Sequence, residues 1–326
     1  MTRSLPTFAR LARLARLRLP ARLALPALLG AGPLLAQDGT DIYLVELPQA
    51  QAGAQAQAGV PESVIRVTDR AGYDNQPAFT PDGTALLYTV IDAAGQADIW
   101  RWDVATRERR RLTATSPESE YSAAVLPQGG RFSVVRVERD STQRLWSFDL
   151  ASGGDARLVL EDVAPVGYYA WGSPDTLALF VLGDPATLQV ADARGGPARV
   201  VASDIGRSIR AVPGRHAVSY AQSTGDAWTL MLLDLETLRS TPLAPAPSAN
   251  EHHVWTPDGR LLIAADTRIL VSWASAGAGA EAWERHAAMP WVELLDLSAA
   301  GIRIITRLAV SPDGRWLALV APDPGF

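Results

Sequence analysis

Hydrophobic runs of strand length recur along this chain in pairs, each pair joined by a short turn close to Pro-Asp-Gly. The six copies read AFTPDGTALLY (78–88), AVLPQGGRFSVV (124–135), AWGSPDTLALF (170–180), RAVPGRHAVSY (210–220), VWTPDGRLLIA (254–264) and AVSPDGRWLALV (309–320). Pro presets φ near −65° at the second turn position, Asp accepts a local backbone hydrogen bond, and Gly takes the last position without steric cost. Apolar and β-branched residues flank each turn, so each copy predicts a hairpin.

A quieter pattern follows the hairpins. ADIWRWDV (97–104), QRLWSFDL (143–150), ATLQVADA (186–193), WTLMLLDL (228–235) and TRILVSWA (267–274) alternate as half-buried strands do. A fourth strand is expected in RERRRLTA (107–114), DARLVLE (155–161), PARVVAS (197–203), LRSTPLA (238–244) and AWERHAAM (282–289). Four antiparallel strands every 40–50 residues make one propeller blade. Six hairpins meet only five such pairs, and the missing pair is found near the N-terminus, in TDIYLVEL (40–47) and SVIRVTD (63–69). The expectation is therefore an all-β, six-bladed β-propeller of four-stranded antiparallel blades over residues 37–326, its last blade closed by the N-terminal strands. Such closure leaves no open sheet edge. Between these two strands QAQAGAQAQAG (49–59) reads as a flexible loop, and ELLDLSAAG, within 290–307, as one or two helical turns on a blade rim.

Composition adds the compartment. Six arginines (Arg3, Arg10, Arg13, Arg16, Arg18 and Arg22) precede an apolar stretch from Leu23 to Ala36, with no acid among them. That order reads as a secretory signal over residues 1–36, with an uncleaved N-terminal anchor as the rival reading. The chain has no cysteine, so neither a disulfide nor a thiolate zinc site is available. Every one of the 30 basic residues is arginine; beyond the leader 24 remain against 35 acids, a balance near −11. Nucleic acid is a poor partner for that charge. No later run is long enough to span a membrane once the signal is removed.

DNQPAFTPDGTALLYT with GQADIWRWDVATRERRRLT resembles the PD40, or WD40-like, repeat of TolB-type propellers, and NEHHVWTPDGRLLIA and ITRLAVSPDGRWLALV are similar to it. The second and third copies are degraded and the fourth lacks the Asp. The resemblance implies a propeller in the periplasm or outside the cell. It departs from TolB itself in leaving no room for an N-terminal α/β domain. It departs from prolyl-oligopeptidase-like enzymes in lacking a hydrolase domain and a G-x-S-x-G elbow.

In propellers of this kind the first strand of each blade lines the channel, and the loops before it form one mouth. Those loops bring Asp74, Glu120, Tyr168, Arg207, Arg210, Glu251, His252 and Arg307 toward a common axis. Acids, arginines and aromatics around a funnel suit a peptide or a polar small molecule. The main expectation is a monomeric binding or scaffolding module of the cell envelope whose partner is a protein or peptide. It needs no cofactor and no metal, since adjacent histidines such as His252 and His253 point to opposite faces of a strand. The alternative is a hydrolase or lyase using carboxylates and His252, with or without a metal, at the mouth. Recurrent tryptophans, such as Trp171 with Trp255, read as packing between blades.

Overall fold

The computed structural model describes residues 39–48, 59, 61, 63–273 and 290–322. The expected signal sequence over 1–36 and nearly all of the Ala/Gln segment lie outside them, as does 282–289. Regular structure in the described residues is all strand apart from one 3-10 turn.

In chain order the strands are β1 (Thr40–Glu46), β2 (Val64–Arg66), β3 (Tyr73–Phe79), β4 (Ala85–Ile91), β5 (Ala97–Asp103) and β6 (Arg109–Arg111). Next come β7 (Ser119–Val125), β8 (Arg131–Val137), β9 (Gln143–Asp149) and β10 (Arg157–Leu158), then β11 (Val166–Trp171), β12 (Thr176–Val181), β13 (Thr187–Asp192) and β14 (Arg199–Ser203). They are followed by β15 (Ile205–Ala211), β16 (Ala217–Ser223), β17 (Trp228–Asp234) and β18 (Ser240–Pro245), then β19 (His253–Trp255), β20 (Arg260–Ala265), β21 (Arg268–Trp273) and β22 (Val292–Asp296). The last pair is β23 (Arg307–Val310) and β24 (Trp316–Pro322). Strands β7–β10, β11–β14, β15–β18 and β19–β22 each form a four-stranded antiparallel sheet. Strands β23, β24, β1 and β2 lie side by side, and a single parallel bridge, Thr40 with Tyr73, links them to β3–β6. The seven residues of β1 pair antiparallel with β24, from Thr40 against Pro322 to Glu46 against Trp316.

The turns work as their sequences require. Asp82 Oδ1 accepts hydrogen bonds from Thr80 Oγ1 and from the backbone N–H of Thr84, and Gly83 follows at φ +69°. Thr256 with Asp258 and Ser311 with Asp313 repeat this arrangement. Across every hairpin one backbone bond closes the turn, from Thr80, Leu126, Gly172, Val212, Thr256 or Ser311.

Alternation sends every second side chain into apolar clusters between neighbouring sheets. Leu87 and Ile99 meet Phe132 and Phe148; Val135 and Leu145 meet Leu177 and Leu179; Phe180 and Leu188 meet Tyr220 and Leu233. Leu230 and Leu232 meet Leu261 and Ile263; Leu262 and Ile269 meet Val45 and Leu319; Leu44 and Ala318 meet Leu86 and Tyr88. Trp171 and Trp255 are buried in two of these clusters, as packing residues.

Two expectations are corrected. The fourth strand beside β21 is β22, formed by VELLD, and not the earlier segment 282–289. Leu294 and Leu295 are buried there, and a register shift between Ile269 and Leu270 lets both face inward. Only Ser298–Ala300, of the stretch expected to turn helically, forms a 3-10 turn.

Candidate functional site

Counting back four residues from the one that closes each turn gives Gln76, Ser122, Tyr168, Ser208, His252 and Arg307. Five of these six line one cavity of about 100 Å3, together with Arg207 and Arg210. Each of the six first strands, or the residue just before it, therefore delivers a side chain at the same register. Bulges aim them. Register shifts interrupt β3 between Asn75 and Ala78, and β7 between Tyr121 and Ala124. At these points Gln76 and Ser122 adopt φ of +58° and +55°. Non-glycine residues held there carry strain of about 1–3 kcal/mol, which the surrounding packing must impose. The fourth copy departs: Ser208 turns instead to His253, its Oγ 3.3 Å from Nδ1.

Of the eight residues expected at the mouth, Tyr168, Arg207, Arg210, His252 and Arg307 come together in this cavity. All but His252 sit in strands, not in loops. Glu251 lies beside them, clamped on Arg207: its Oε1 accepts from Nε at 2.6 Å and its Oε2 from the Arg207 backbone N–H at 2.9 Å. Gly206 makes this clamp possible, because a Cβ there would stand 1.8 Å from Glu251 Oε2. Asp74 and Glu120 are not among the lining residues. Asp74 is buried against Arg70 Nε at 3.0 Å, and burial pushes its pKa up to about 6. Glu120 is buried between Thr115 and Arg136, and burial pushes it up to about 7. Gln76 and Ser122 were missed. The repeat register would have found them, because they share the turn offset of Tyr168, His252 and Arg307.

The cavity is positive. Arg207 shares its charge with Glu251. Arg307 donates from Nη2 to Tyr168 Oη at 3.0 Å, with its guanidinium carbon 5.1 Å from the centre of that ring. Arg210 donates from Nε to the carbonyl of His253 at 3.0 Å and from Nη2 to that of Leu308 at 3.2 Å. Burial and the neighbouring Arg307 lower the Arg210 pKa to about 10, so it stays charged at neutral pH. Burial, then Arg307, Arg207 and Arg210, hold the His252 imidazole well below its usual pKa. His252 is thus neutral. Its Nε2 is 3.8 Å from Glu251 Oε1, too far for a hydrogen bond.

Other candidate chemistry resolves into structure. Ser219 Oγ lies 2.7 Å from His253 Nε2, the spacing of a nucleophile and its base. The same oxygen accepts from Trp255 Nε1 at 2.8 Å, both residues of the pair are fully buried, and burial drives the His253 pKa down to about 3. Ser133 repeats the arrangement with Trp171 and Tyr169. This is a blade lock made twice. Among the described residues no three His, Asp or Glu side chains are grouped to hold a metal. A wider surface hollow beside Trp146 is edged by Glu118, Arg136, Glu138 and Arg139, whose charges pair with one another or with Arg144.

No family profile matches the chain, and no curated protein does. Solved structures do. TolB from Acinetobacter baumannii is similar with a TM-score of 0.54 at 14% identity, over 87% of this chain and 64% of that one, so this chain spans under two thirds of that protein. A TolB candidate from Agrobacterium tumefaciens is similar with a TM-score of 0.62 at 12% identity, over 88% of this chain and 99% of that one. Oligogalacturonate lyase from Vibrio parahaemolyticus follows with 0.54 at 14% identity, over 79% and 80%. Likeness at such identity speaks for the fold alone, which hosts binding proteins and enzymes alike. The fold of this chain is that of the TolB-like β-propellers.

Proposed function

We propose that this protein is an exported, six-bladed β-propeller that acts as a monomeric binding module of the cell envelope, taking a peptide or protein segment at its central cavity. Six apolar clusters each join one sheet to the next, and the last joins β1 and β24 back to β4, which is what a closed ring of six requires. The first strands agree: β3 packs on β7, β11 on β15, β15 on β19, β19 on β23 and β23 on β3. Tyr169 Oη donates to the Ser122 carbonyl at 2.9 Å between the remaining neighbours. Export rests on the arginine-rich leader. Among the described residues no helix is long and apolar enough to cross a membrane.

The observation that carries the binding reading is the convergence of same-register side chains from five hairpins in one strained, bulged cavity. Hydrolysis or elimination is less favoured. Glu251 is engaged by Arg207, and His252 is kept neutral by burial and three arginines.

Affinity capture from envelope extract tests this, with the protein beside a double variant His252→Ala, Arg307→Ala. A protein held by the parent and lost by the variant is the expected outcome. No retained protein, or equal retention by both, overturns the reading.

A further inference from the structure

We infer that the central cavity is an anion site, and that it takes a single carboxylate gripped by Arg307 and Arg210. The inference rests on the reading of this cavity as the binding site and names the group that enters it.

The repeat supplies the first reason. Two residues before each turn-closing position stand Ala78, Ala124, Ala170, Arg210, Val254 and Ala309. Five blades place a small apolar side chain there and one places a guanidinium. Packing alone does not demand it, since the same position is filled by alanine in four copies of one fold.

Charge supplies the second. Arg207, Arg210 and Arg307 line the same cavity, and among the described residues no acidic one does. Glu251 answers Arg207. Among the described residues Arg210 and Arg307 have no carboxylate partner; they spend donors on the carbonyls of His253 and Leu308 and on Tyr168 Oη. Burying like charges together without a counter-ion is costly, and the cost falls when an anion joins them. Arginine presents several donors in a fixed plane, which suits a carboxylate. This positive cavity sits in a chain of net negative charge.

Two orphan polar atoms supply the third. Among the described residues Ser122 Oγ and His252 Nδ1 are buried without a hydrogen-bond partner, and both residues line the cavity. A hydroxyl and a neutral imidazole can each donate one hydrogen bond to a carboxylate oxygen. Their orphaned state is explained if the group that completes them comes from outside the chain.

Size limits what enters. A cavity of about 100 Å3 is well below the roughly 300 Å3 at which pockets enclose a drug-sized molecule. It admits an end group, such as the carboxylate of a chain terminus, of an acidic side chain or of a small organic acid, with the rest of the ligand outside.

Acetate and acetamide are the matched probes, equal in shape and different in charge, each followed by ligand-observed NMR titration against the full chain. Acetate is expected to saturate with a Kd in the millimolar range, about −4 kcal/mol, and acetamide is not. Arg307→Gln should weaken acetate about tenfold or more, and Arg210→Gln likewise; Arg139→Gln, at an exposed site away from the cavity, should change nothing. Arg307→Gln keeps the test sound if Arg210→Gln, which also loses two interstrand bonds, fails to fold. A short peptide with a free C-terminus, set against its C-terminal amide and against the same amide bearing one internal Asp, distinguishes terminal from side-chain carboxylate. Equal affinity for acetate and acetamide, or unchanged acetate affinity in Arg307→Gln, overturns the inference. A captured partner lost by the double variant but not displaced by acetate would leave the binding reading standing and sink this one.

Discussion

At the scale of single residues, burial sets the chemistry. Glu120 is fully buried, and its pKa rises from 4.5 to about 7 because burial disfavours its charge. The folded value lies above the unfolded one. Below pH 4.5 both states hold the proton and nothing is lost. As pH climbs toward 7 the unfolded chain releases its proton first, so stability falls, by about 3 kcal/mol once both states are ionised. Glu120→Gln should remove this slope: relative to the parent it gains stability between pH 4.5 and 7. Urea unfolding across that range reads it, and a difference that stays flat with pH would refute it. His252 and Asp74 are likewise governed by surroundings and not by residue type. Nothing in the letters E, H and D near positions 74, 120 and 252 distinguishes a channel side chain from one sealed between sheets.

At the scale of elements, the hairpins and their turns were legible in the sequence because their causes are local. Pro, Asp and Gly shape the turn within five residues, and strand alternation repeats every two. The misplaced fourth strand shows the limit. VELLD carries enough leucine to suit a strand or a helix, and pairing with β21 decides between them. Contacts between elements also impose glycine where the sequence shows only a loop. Gly153, at φ +71°, belongs to the turn after β9, and a Cβ there would stand 1.8 Å from the Leu112 carbonyl oxygen, just past β6. Gly153→Ala should therefore separate two sheets and cost about 3 kcal/mol or more, from backbone strain together with the clash. A thermal melt within a degree or so of the parent's would contradict this, since about 1 kcal/mol already moves Tm by several degrees in small domains.

At the scale of the molecule, β1 and β2 complete the sheet begun by the last hairpin. β1 adds to β24 across 270 or more positions of sequence, with every residue of β1 paired, and β2 adds to β1. Removing residues 39–69 should leave β24 with a free edge seven residues long, an open template for strand addition. The shortened chain is expected to elute in assemblies larger than the parent in size-exclusion chromatography; an unchanged elution volume would show that β24 does not depend on β1.

Strand content, turn chemistry, the repeat and the match of the N-terminal strands to the last hairpin could all be read from residue order, because alternation and turn geometry act over a few residues. Which side chains enter the cavity could not. A bulge of one residue moves a side chain from one face of a strand to the other, and such bulges present Gln76 and Ser122 while Asp74 and Glu120 stay buried behind them. Nor could residue order show that Arg207 is neutralised by Glu251, 44 positions away, while Arg210 and Arg307 have no carboxylate partner among the described residues. Those outcomes depend on how neighbouring sheets pack, and packing is a property of the assembled fold.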